Sequence, residues 1–264
     1  MSYKKTSTYV ARPIDEKGVA HYTSEENAIW EELYQRQTKI IQGRSCDEYI
    51  KGIELLKLPH DRIPQCFEVS NVLKKITGWQ LEPVPALIPF ENFFQLLANR
   101  KFPAATFIRR KEEIDYLQEP DMFHEVYGHC PMLTNQAYAD FTHTYGKLGL
   151  KANPAERALL ARLFWFTNEF GLINTPKGIR AYGGGILSSM NETVYCVESE
   201  IPERKPFEVM EALRTPYRID ILQPIYFVIN SFDDLFKLVN SDLMSLVREA
   251  QRLGDYTPVF KMES

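Results

Sequence analysis

Two histidines with the spacing of possible metal ligands lie in the segment DMFHEVYGHCP. His124 and His129 are five positions apart, so an ideal α-helix of 3.6 residues per turn would rotate the second ring about 140° from the first. Both imidazoles can face one ion only where the helix widens or ends between them. Gly128 permits such a distortion, and Pro131 disfavours helical geometry at Cys130. The spacing leaves open both metal binding and a purely structural pair of histidines.

A third candidate ligand is Glu169, in the aromatic segment RLFWFTNEFGLI. A carboxylate in such company is costly to bury unless a cation or strong hydrogen-bond donors meet it, although a glutamate is more often exposed. Two imidazoles and one carboxylate form the facial triad of oxygen-activating iron(II) enzymes. The same set suits a zinc ion in a hydrolase. A structural metal site in a binding module is the third alternative.

The elements that must position these residues are predicted to be mostly helices. The motif TSEE is a capping box at Thr23 and predicts a helix that ends before Gly43. The motif SCDE predicts in the same way a second helix capped by Ser45. A third helix follows and ends at Gly78. The sequence thus places three helices before the candidate ligands.

The rest of the chain alternates helices with a few short strands. Residues 79–89 contain three prolines and are predicted to form an irregular loop. The remaining predicted elements are strands at residues 104–109, 219–222 and 225–229, helices at 155–168 and 207–214, and a last helix at about 233–253. The apolar stripe of that last helix favours packing on the protein's own core over a dimer seam. The prediction is an α+β fold, mostly α-helical: an N-terminal arm at 1–22 and a single catalytic domain at 23–264.

Composition narrows the class of function. The net charge of −4 provides no basic surface for nucleic acid or anionic lipid, so we expect a small-molecule substrate and no nucleic-acid or membrane partner. The N-terminus has no apolar run typical of a signal peptide, and no apolar stretch is long enough to span a bilayer. The four cysteines form no CxxC pair, which favours a reducing, cytoplasmic location. We expect a monomer or a small homo-oligomer.

Five motifs, in order and with similar spacing, resemble those of the pterin-dependent aromatic amino acid hydroxylases over roughly residues 25–235. The motifs are GWQLEPV at 78–84, PDMFHEVYGHCPML at 120–133, WFTNEFGL at 165–172, AYGGGILSS at 181–189 and QPIY at 223–226. Within this family the chain is most similar to the bacterial phenylalanine 4-hydroxylases, because we expect neither a regulatory domain before it nor a long tetramerisation helix after it. The resemblance implies hydroxylation of L-phenylalanine to L-tyrosine with O₂ as co-substrate.

The same resemblance assigns a role to each matching residue around the metal. It implies Fe(II) held by His124, His129 and Glu169, with no other catalytic side chain. The residues that it implies for the substrate are Ser188, which orients the first histidine; Arg109, which binds the substrate carboxylate and pairs with Asp121; and Pro120 and Trp165, which lie beside the substrate ring. A planar guanidinium suits the bidentate recognition of a carboxylate.

The resemblance also implies a tetrahydropterin cofactor, either tetrahydrobiopterin or a bacterial equivalent. Phe93 matches an aromatic residue that stacks on the pterin, and Leu87 and Ile88 match a loop whose backbone contacts the pterin edge. Glu125 matches an acid beside the pterin and is not implied as a metal ligand. Without the resemblance, Phe93 and the loop would be interpreted as ordinary core residues.

Overall fold

The computed structural model describes residue 7 and residues 9–260. Within this part of the chain the fold is mostly helical, with two small sheets, as predicted. The α-helices are α1 (Ser24–Ile40), α2 (Asp47–Leu56), α3 (Cys66–Ile76), α4 (Phe90–Leu97), α5 (Gln136–Lys151), α6 (Pro154–Phe164), α7 (Gly184–Leu187), α8 (Met190–Glu198), α9 (Val209–Arg214), α10 (Phe232–Asn240) and α11 (Leu243–Leu253). The strands are β1 (Gln80–Val84), β2 (Lys101–Ala105), β3 (Leu172–Thr175), β4 (Gly178–Ala181), β5 (Glu203–Pro206) and β6 (Ile225–Ile229).

Helix α1 forms as its capping box predicts. The Thr23 side chain accepts a hydrogen bond from the Glu26 amide, and the Glu26 carboxylate accepts one from the Thr23 amide. The helix buries Ile29, Trp30 and Leu33 on one face. Apolar burial on that face, rather than local propensity, supplies most of the stability of such a helix.

The predicted cap of α2 at Ser45 is wrong. The N-cap is Cys46, which makes no side-chain capping hydrogen bond. The Ser45 hydroxyl instead donates to the Ile41 carbonyl at 3.1 Å, and the Cys46 amide donates to the Ala181 carbonyl at 2.9 Å. The chain therefore enters α2 through a contact with β4, which a local motif cannot reveal.

One predicted loop and one predicted strand also need correction. Strand β1 lies inside the predicted loop 79–89 and pairs in parallel with β2, so Pro83 lies in a strand. A strand containing proline is tolerated at the edge of a sheet, and a two-stranded sheet has only edges. Residues 219–222, predicted as a strand, form a bend instead, whereas β6 confirms the strand predicted at 225–229. In the larger sheet the strand order is β4-β3-β6-β5, with β3 and β4 antiparallel and β6 parallel to both β3 and β5.

The C-terminal region contains two helices, α10 and α11, where one helix at about 233–253 was predicted. The chain breaks at Ser241, which has extended backbone geometry, and the Asp242 side chain then accepts a hydrogen bond from the Ser245 amide. This cap provides a new helix start. Val239 and Leu243, on either side of the break, are buried in the core, in agreement with the predicted core packing.

Part of the predicted N-terminal arm, residues 1–6 and 8, lies outside the described residues. The described part lies against the segment that follows β2: the Arg12 amide donates to the Thr106 carbonyl at 3.1 Å, and the Thr106 hydroxyl donates to the Arg12 carbonyl at 2.7 Å. Among the described residues, none of the helices has both the length and the apolar character needed to span a bilayer.

Candidate metal centre and its two cavities

The two histidines lie at the ends of a π-helical turn, His124–His129. A π-helix is hydrogen-bonded from i to i+5, so residues five apart lie on the same face. The Nε2 atoms of the two rings are accordingly 3.0 Å apart. The predicted distortion is thus confirmed, but the predicted effect of Pro131 is wrong, because Cys130 has ordinary right-handed helical geometry. Gly128 is needed for close packing: a Cβ there would lie 2.6 Å from the Gly184 carbonyl oxygen.

The carboxylate comes from a second π-helical segment, Trp165–Glu169, which continues α6. The amide of Asn168 fixes this segment to α5, since its Nδ2 donates to the Tyr138 hydroxyl at 2.8 Å and to the Thr142 hydroxyl at 3.0 Å. Sequence reasoning identified neither α5 nor this role of Asn168. A buried asparagine needs such partners, and a polar residue inside an aromatic helix is the signal that could have pointed to it.

The three predicted ligands converge. The Glu169 carboxylate lies 3.2 Å from His129 Nε2 and 3.5 Å from His124 Nε2, and the ligand atoms of all three residues lie within 4.8 Å of one another. Two nitrogens and one carboxylate oxygen at this spacing suit a divalent transition-metal ion and leave coordination positions open. The residues present therefore fit a mononuclear metal.

Ser188 fixes the tautomer of His124. Its hydroxyl donates to the Gly184 carbonyl at 2.8 Å and lies 3.0 Å from His124 Nδ1. A hydroxyl has a single proton, so Ser188 must accept a hydrogen bond from Nδ1–H. The lone pair of the neutral imidazole is then on Nε2, which faces Glu169. This is the protonation pattern that a metal ligand needs.

Charge within the cluster shifts the pKa of each group. Burial alone would raise the pKa of Glu169, but the charges and hydrogen bonds of His129 and His124 outweigh it and hold that pKa below its ordinary value. Burial disfavours the charged form of His124, yet Glu169 dominates and raises its pKa to about 9. The pKa of His129 is lowered, chiefly by burial. The cluster therefore attracts positive charge and keeps its carboxylate ionised.

Two consecutive glycines of α7 form the floor of the cluster. A Cβ at Gly184 would lie 2.4 Å from His129 Nδ1, and a Cβ at Gly185 would lie 2.9 Å from Glu169 Oε2. Both distances are too short for a side chain, so only glycine lets α7 approach the ligands this closely. The residues belong to the motif AYGGGILSS, but their role as a floor was not predicted. Consecutive glycines in a helix are costly, which is the sequence signal of a close approach.

Arg109 and Asp121 form a buried ion pair beside the cluster. Arg109 donates from Nε at 2.8 Å and from Nη2 at 3.0 Å to the two carboxylate oxygens of Asp121. The side chains are only 6% and 0% exposed, so the pair is desolvated. Burial would raise the pKa of Asp121, but Arg109 lowers it further than burial raises it. Asp121 Oδ1 also accepts from the His124 amide at 3.0 Å and so joins Arg109 to the first π-helical segment.

Two cavities meet at His124 and Glu169, whereas His129 lies behind them and lines neither cavity. The first has a volume of about 390 Å³ and contains the predicted substrate residues Arg109 and Ser188. The second has a volume of about 230 Å³ and is more apolar. Its lining includes all four of the predicted pterin residues, Leu87, Ile88, Phe93 and Glu125. Four residues line both cavities: Pro120, His124, Trp165 and Glu169. Asp121 lines neither cavity, but it contacts Arg109 and His124, which both line the first.

Within the second cavity the predicted residues differ in their surroundings. Phe93 packs edge-on against Phe164, with ring centroids 5.2 Å apart, while Leu87 is 42% exposed at the mouth. Glu125 is buried, and burial raises its pKa to about 8. An aromatic wall with one acidic side chain besides the ligand Glu169 suits a flat heterocycle that carries hydrogen-bond donors.

A cluster of two histidines and one carboxylate, with His129 buried and His124 and Glu169 partly exposed to two cavities, defines the class of mononuclear non-haem metalloenzymes that keep free coordination positions. Residues 8–257 match the family described as biopterin-dependent aromatic amino acid hydroxylase. The chain belongs to this family. It is therefore a pterin-dependent monooxygenase that acts on a small molecule, which favours the iron hydroxylase over the zinc hydrolase and the structural metal site.

Individual relatives agree with the family match. The chain is 59% identical over 256 residues to a phenylalanine-4-hydroxylase of Pseudomonas aeruginosa, which covers 97% of each chain. It is similar to the solved phenylalanine hydroxylase of Legionella pneumophila, with a TM-score of 0.93, 54% identity and coverage of 96% of this chain and 100% of that one. It is also similar to the Chromobacterium violaceum enzyme solved with bound oxidised Fe(III), with a TM-score of 0.88, 44% identity and coverage of 92% and 88%.

Proposed function

We propose that this enzyme hydroxylates L-phenylalanine to L-tyrosine, using O₂ and a tetrahydropterin, at an Fe(II) ion held by His124, His129 and Glu169. The observation that carries the proposal is that the three ligands form one cluster and that two of them, His124 and Glu169, lie where two cavities of different character meet. One cavity has a guanidinium that suits an amino acid carboxylate. The other has the aromatic and aliphatic walls that suit a pterin. The substrate and metal named for the similar proteins support the same assignment.

Arg109 orients the substrate in this proposal. Two of its nitrogens are held by Asp121, which fixes the plane of the guanidinium while the side chain lines the first cavity. A substrate carboxylate at Arg109 places the aromatic ring toward Pro120 and Trp165, beside the ligands. The fixed charge of Arg109 thus sets the distance between the substrate ring and the ligands, and the apolar walls set the orientation of the ring.

When bound, ferrous iron and the tetrahydropterin together activate O₂ and supply the oxidant for the ring. The protein's own residues hold and shield that chemistry. Ser188 keeps the His124 lone pair on Nε2, and Glu169 stays ionised beside two imidazoles. Phe93, Leu87 and Ile88 provide the pterin wall, with Glu125 beside it. The apolar residues beside the ligands, Pro120 and Trp165, shield the reacting atoms from bulk water in this proposal.

The test compares a ligand with a histidine outside the cluster. His124→Ala should lose bound iron and tyrosine formation, because two ligands cannot hold the ion in place. His60→Ala is the matched control, since His60 is exposed and outside the candidate site, and it should behave as the unchanged protein. Each protein is incubated with Fe(II), a tetrahydropterin, O₂ and each aromatic amino acid in turn, and iron and product are quantified. Stoichiometric iron and full turnover in His124→Ala would refute the ligand assignment.

We further propose a cytoplasmic enzyme, monomeric or a small homo-oligomer, with an arm at residues 1–22 and one catalytic domain at residues 23–264. The four cysteines support the location, because all are buried and unpaired. Sedimentation of the purified protein at several concentrations tests the oligomeric state.

A further inference from the structure

A buried glutamine, Gln223, lies between the bend at 219–222 and strand β6. Gln223 is only 2% exposed, and a buried carboxamide is costly unless its donors and its acceptor have hydrogen-bond partners. Gln223 belongs to the motif QPIY, to which the reaction described above gives no task. Its hydrogen bonds indicate one.

The Gln223 side chain joins a cavity wall to a loop. Its Oε1 accepts from Trp165 Nε1 at 3.0 Å, and its Nε2 donates to the Arg218 and Ile221 carbonyls, each at 2.9 Å. An indole N–H can only donate and a carbonyl can only accept, so the amide has one orientation that satisfies all three partners. The side chain cannot rotate by half a turn without losing every one of these bonds.

The backbone of Gln223 is anchored independently. Its amide donates to Glu192 Oε1 at 3.0 Å, and the Tyr226 hydroxyl donates to the same carboxylate oxygen. Glu192 is 5% exposed. The glutamine is therefore fixed to α8 by its main chain, which leaves its side chain free to fix the position of its partners.

Two of the three partners of the carboxamide, Trp165 and Ile221, line the first cavity. Trp165 lies there with His124 and Glu169, and residues 219–222 form another part of the wall. The indole ring is stacked on Tyr217, with centroids 4.3 Å apart and planes inclined by 19°. Stacking restricts the tilt of the indole but not its rotation within its own plane. The hydrogen bond from Nε1 to Gln223 removes that second freedom.

We propose that Gln223 is a positioning residue for substrate specificity: its carboxamide holds the Trp165 indole and the 219–222 wall in a fixed relation, which sets the shape of the slot for an aromatic amino acid side chain. The inference rests on the proposed function, since it assumes that the first cavity takes the substrate. Gln223 acts through Trp165 and does not touch the reacting atoms.

The test removes the hydrogen bonds while nearly keeping the volume. Gln223→Met should raise both the Kd of the metal-free protein for L-phenylalanine and the KM roughly five- to tenfold, the order of the net effect of one hydrogen bond, because the link from the indole to the loop is lost. The ratio of tyrosine formed to tetrahydropterin oxidised should fall, because a loosely held ring is hydroxylated less often. The Kd is read from tryptophan fluorescence, excited where phenylalanine does not absorb; Trp165 is the tryptophan that lines the cavity, whereas Trp30 and Trp79 are fully buried elsewhere.

Three further variants separate positioning from folding. Gln42→Met, at an exposed glutamine, is the matched control and should leave Kd and KM unchanged. In a Trp165→Phe background, Gln223→Met should change KM and the product ratio by less than about twofold, because the connection between the ring at position 165 and the loop carbonyls is already broken. If Gln223→Met does not fold, Gln223→Asn keeps a buried amide but shortens its reach, and the same rise in Kd is expected.

The inference is overturned if the folded Gln223 variant lowers only the melting temperature and leaves Kd, KM and the product ratio unchanged. It is also overturned if the fold-changes in KM caused by Gln223→Met and by Trp165→Phe multiply in the double variant. Failure of the proposed function is distinguishable, because it would show as an unchanged protein that forms no tyrosine. The fluorescence titration of the metal-free protein requires no turnover.

Discussion

The two π-helical segments supply ligands to one centre but are held there in different ways. His124–His129 is preceded by only two helical residues, is followed by a turn and a short 3₁₀ helix, and carries a ligand at each end. Trp165–Glu169 continues α6, carries one ligand at its end and begins with a residue of the cavity wall. The first segment therefore has no long helix to fix its direction, whereas the second inherits its direction from α6.

Polar contacts take the place of the missing helix in the first segment. Asp121 accepts a hydrogen bond from the His124 amide and pairs with Arg109, and Ser188 holds the His124 ring. The second segment depends instead on the packing of α6 and on the Asn168 amide. Substitution of one of these polar partners of the first segment should therefore disturb the histidine pair and leave the segment that carries the carboxylate unchanged.

The largest effect should come from removing one ligand in each segment, which tests whether both serve the same ion. His129→Ala and Glu169→Gln should each lower kcat/KM by more than about 100-fold, beyond the range seen when only a partner of a ligand is lost. Iron content should fall in both variants, and it is measured on protein reconstituted with Fe(II) and desalted. A variant that keeps full iron and activity would show that its segment is not part of the centre.

The next effect concerns the polar support of the first segment alone. Asp121→Asn leaves Arg109 buried without a counter-charge, which should cost about 3–5 kcal/mol in the free energy of unfolding. Asp255→Asn is the control, because Asp255 pairs with Arg162 at the surface with half of its side chain exposed, and it should cost less than about 1 kcal/mol. Urea unfolding at neutral pH measures both. Equal costs would contradict the buried pair's role.

The same ion pair predicts an acid dependence. The pKa of Asp121 is lower in the folded protein than in the unfolded chain, so its stabilisation is complete above the unfolded value of about 3.9. It is lost as the pH falls from there through the lower folded value. The stability difference between the unchanged protein and Asp121→Asn should therefore be constant from pH 7 to about pH 5 and shrink in stronger acid. A stability difference that becomes smaller as the pH rises would contradict the assignment.

The glycine floor gives a smaller effect that distinguishes the two segments again. Gly184→Ala should cost about 1–3 kcal/mol, because its Cβ would overlap the His129 ring, which is held on a short buried turn. Gly185→Ala should cost less stability, since the overlapping atom is at the end of the Glu169 side chain. Thermal unfolding of the metal-free proteins measures the two costs. A larger loss of stability in Gly185→Ala than in Gly184→Ala would show that the first segment adjusts to an added methyl group more easily than the second.

The smallest effect should come from Ser188→Ala. The His124 ring loses the acceptor that fixes its tautomer, so affinity for Fe(II) should fall about 10- to 100-fold while the fold is retained. Ser189→Ala is the neighbouring control, because Ser189 caps α8 and does not contact His124. Competition with a metal chelator measures the affinity. Equal losses in the two variants would remove the special role of Ser188.

The sequence was informative where local chemistry decides the structure. The capping box of α1, the end of α3 near Gly78 and the need for a widened turn between the histidines all follow from neighbouring residues. The cost of burying a carboxylate made Glu169 a candidate, and the resemblance then implied its convergence on that turn. These features depend on contacts within a few residues, or on a strong physical penalty.

The remaining elements depend on distant contacts. Ser45 has the right motif for a cap, yet Cys46 begins the helix because the chain there bonds to β4. Strand β1 contains Pro83 and becomes a strand only because β2 lies beside it. The hydrogen bond from Trp165 to Gln223 joins residues 58 positions apart, and no periodicity of the sequence predicts it. Such pairs become visible only when the chain is folded.

The floor beneath the ligands has a consequence for how this protein can change. Gly184 and Gly185 carry no functional group, yet any added methyl at either position would collide with an atom of a ligand residue. Mutational tolerance should consequently be low at two residues that contribute no chemistry, while residues lining the outer parts of the cavities can vary. Redesign of the substrate slot has room on the 219–222 wall and none on the side of α7.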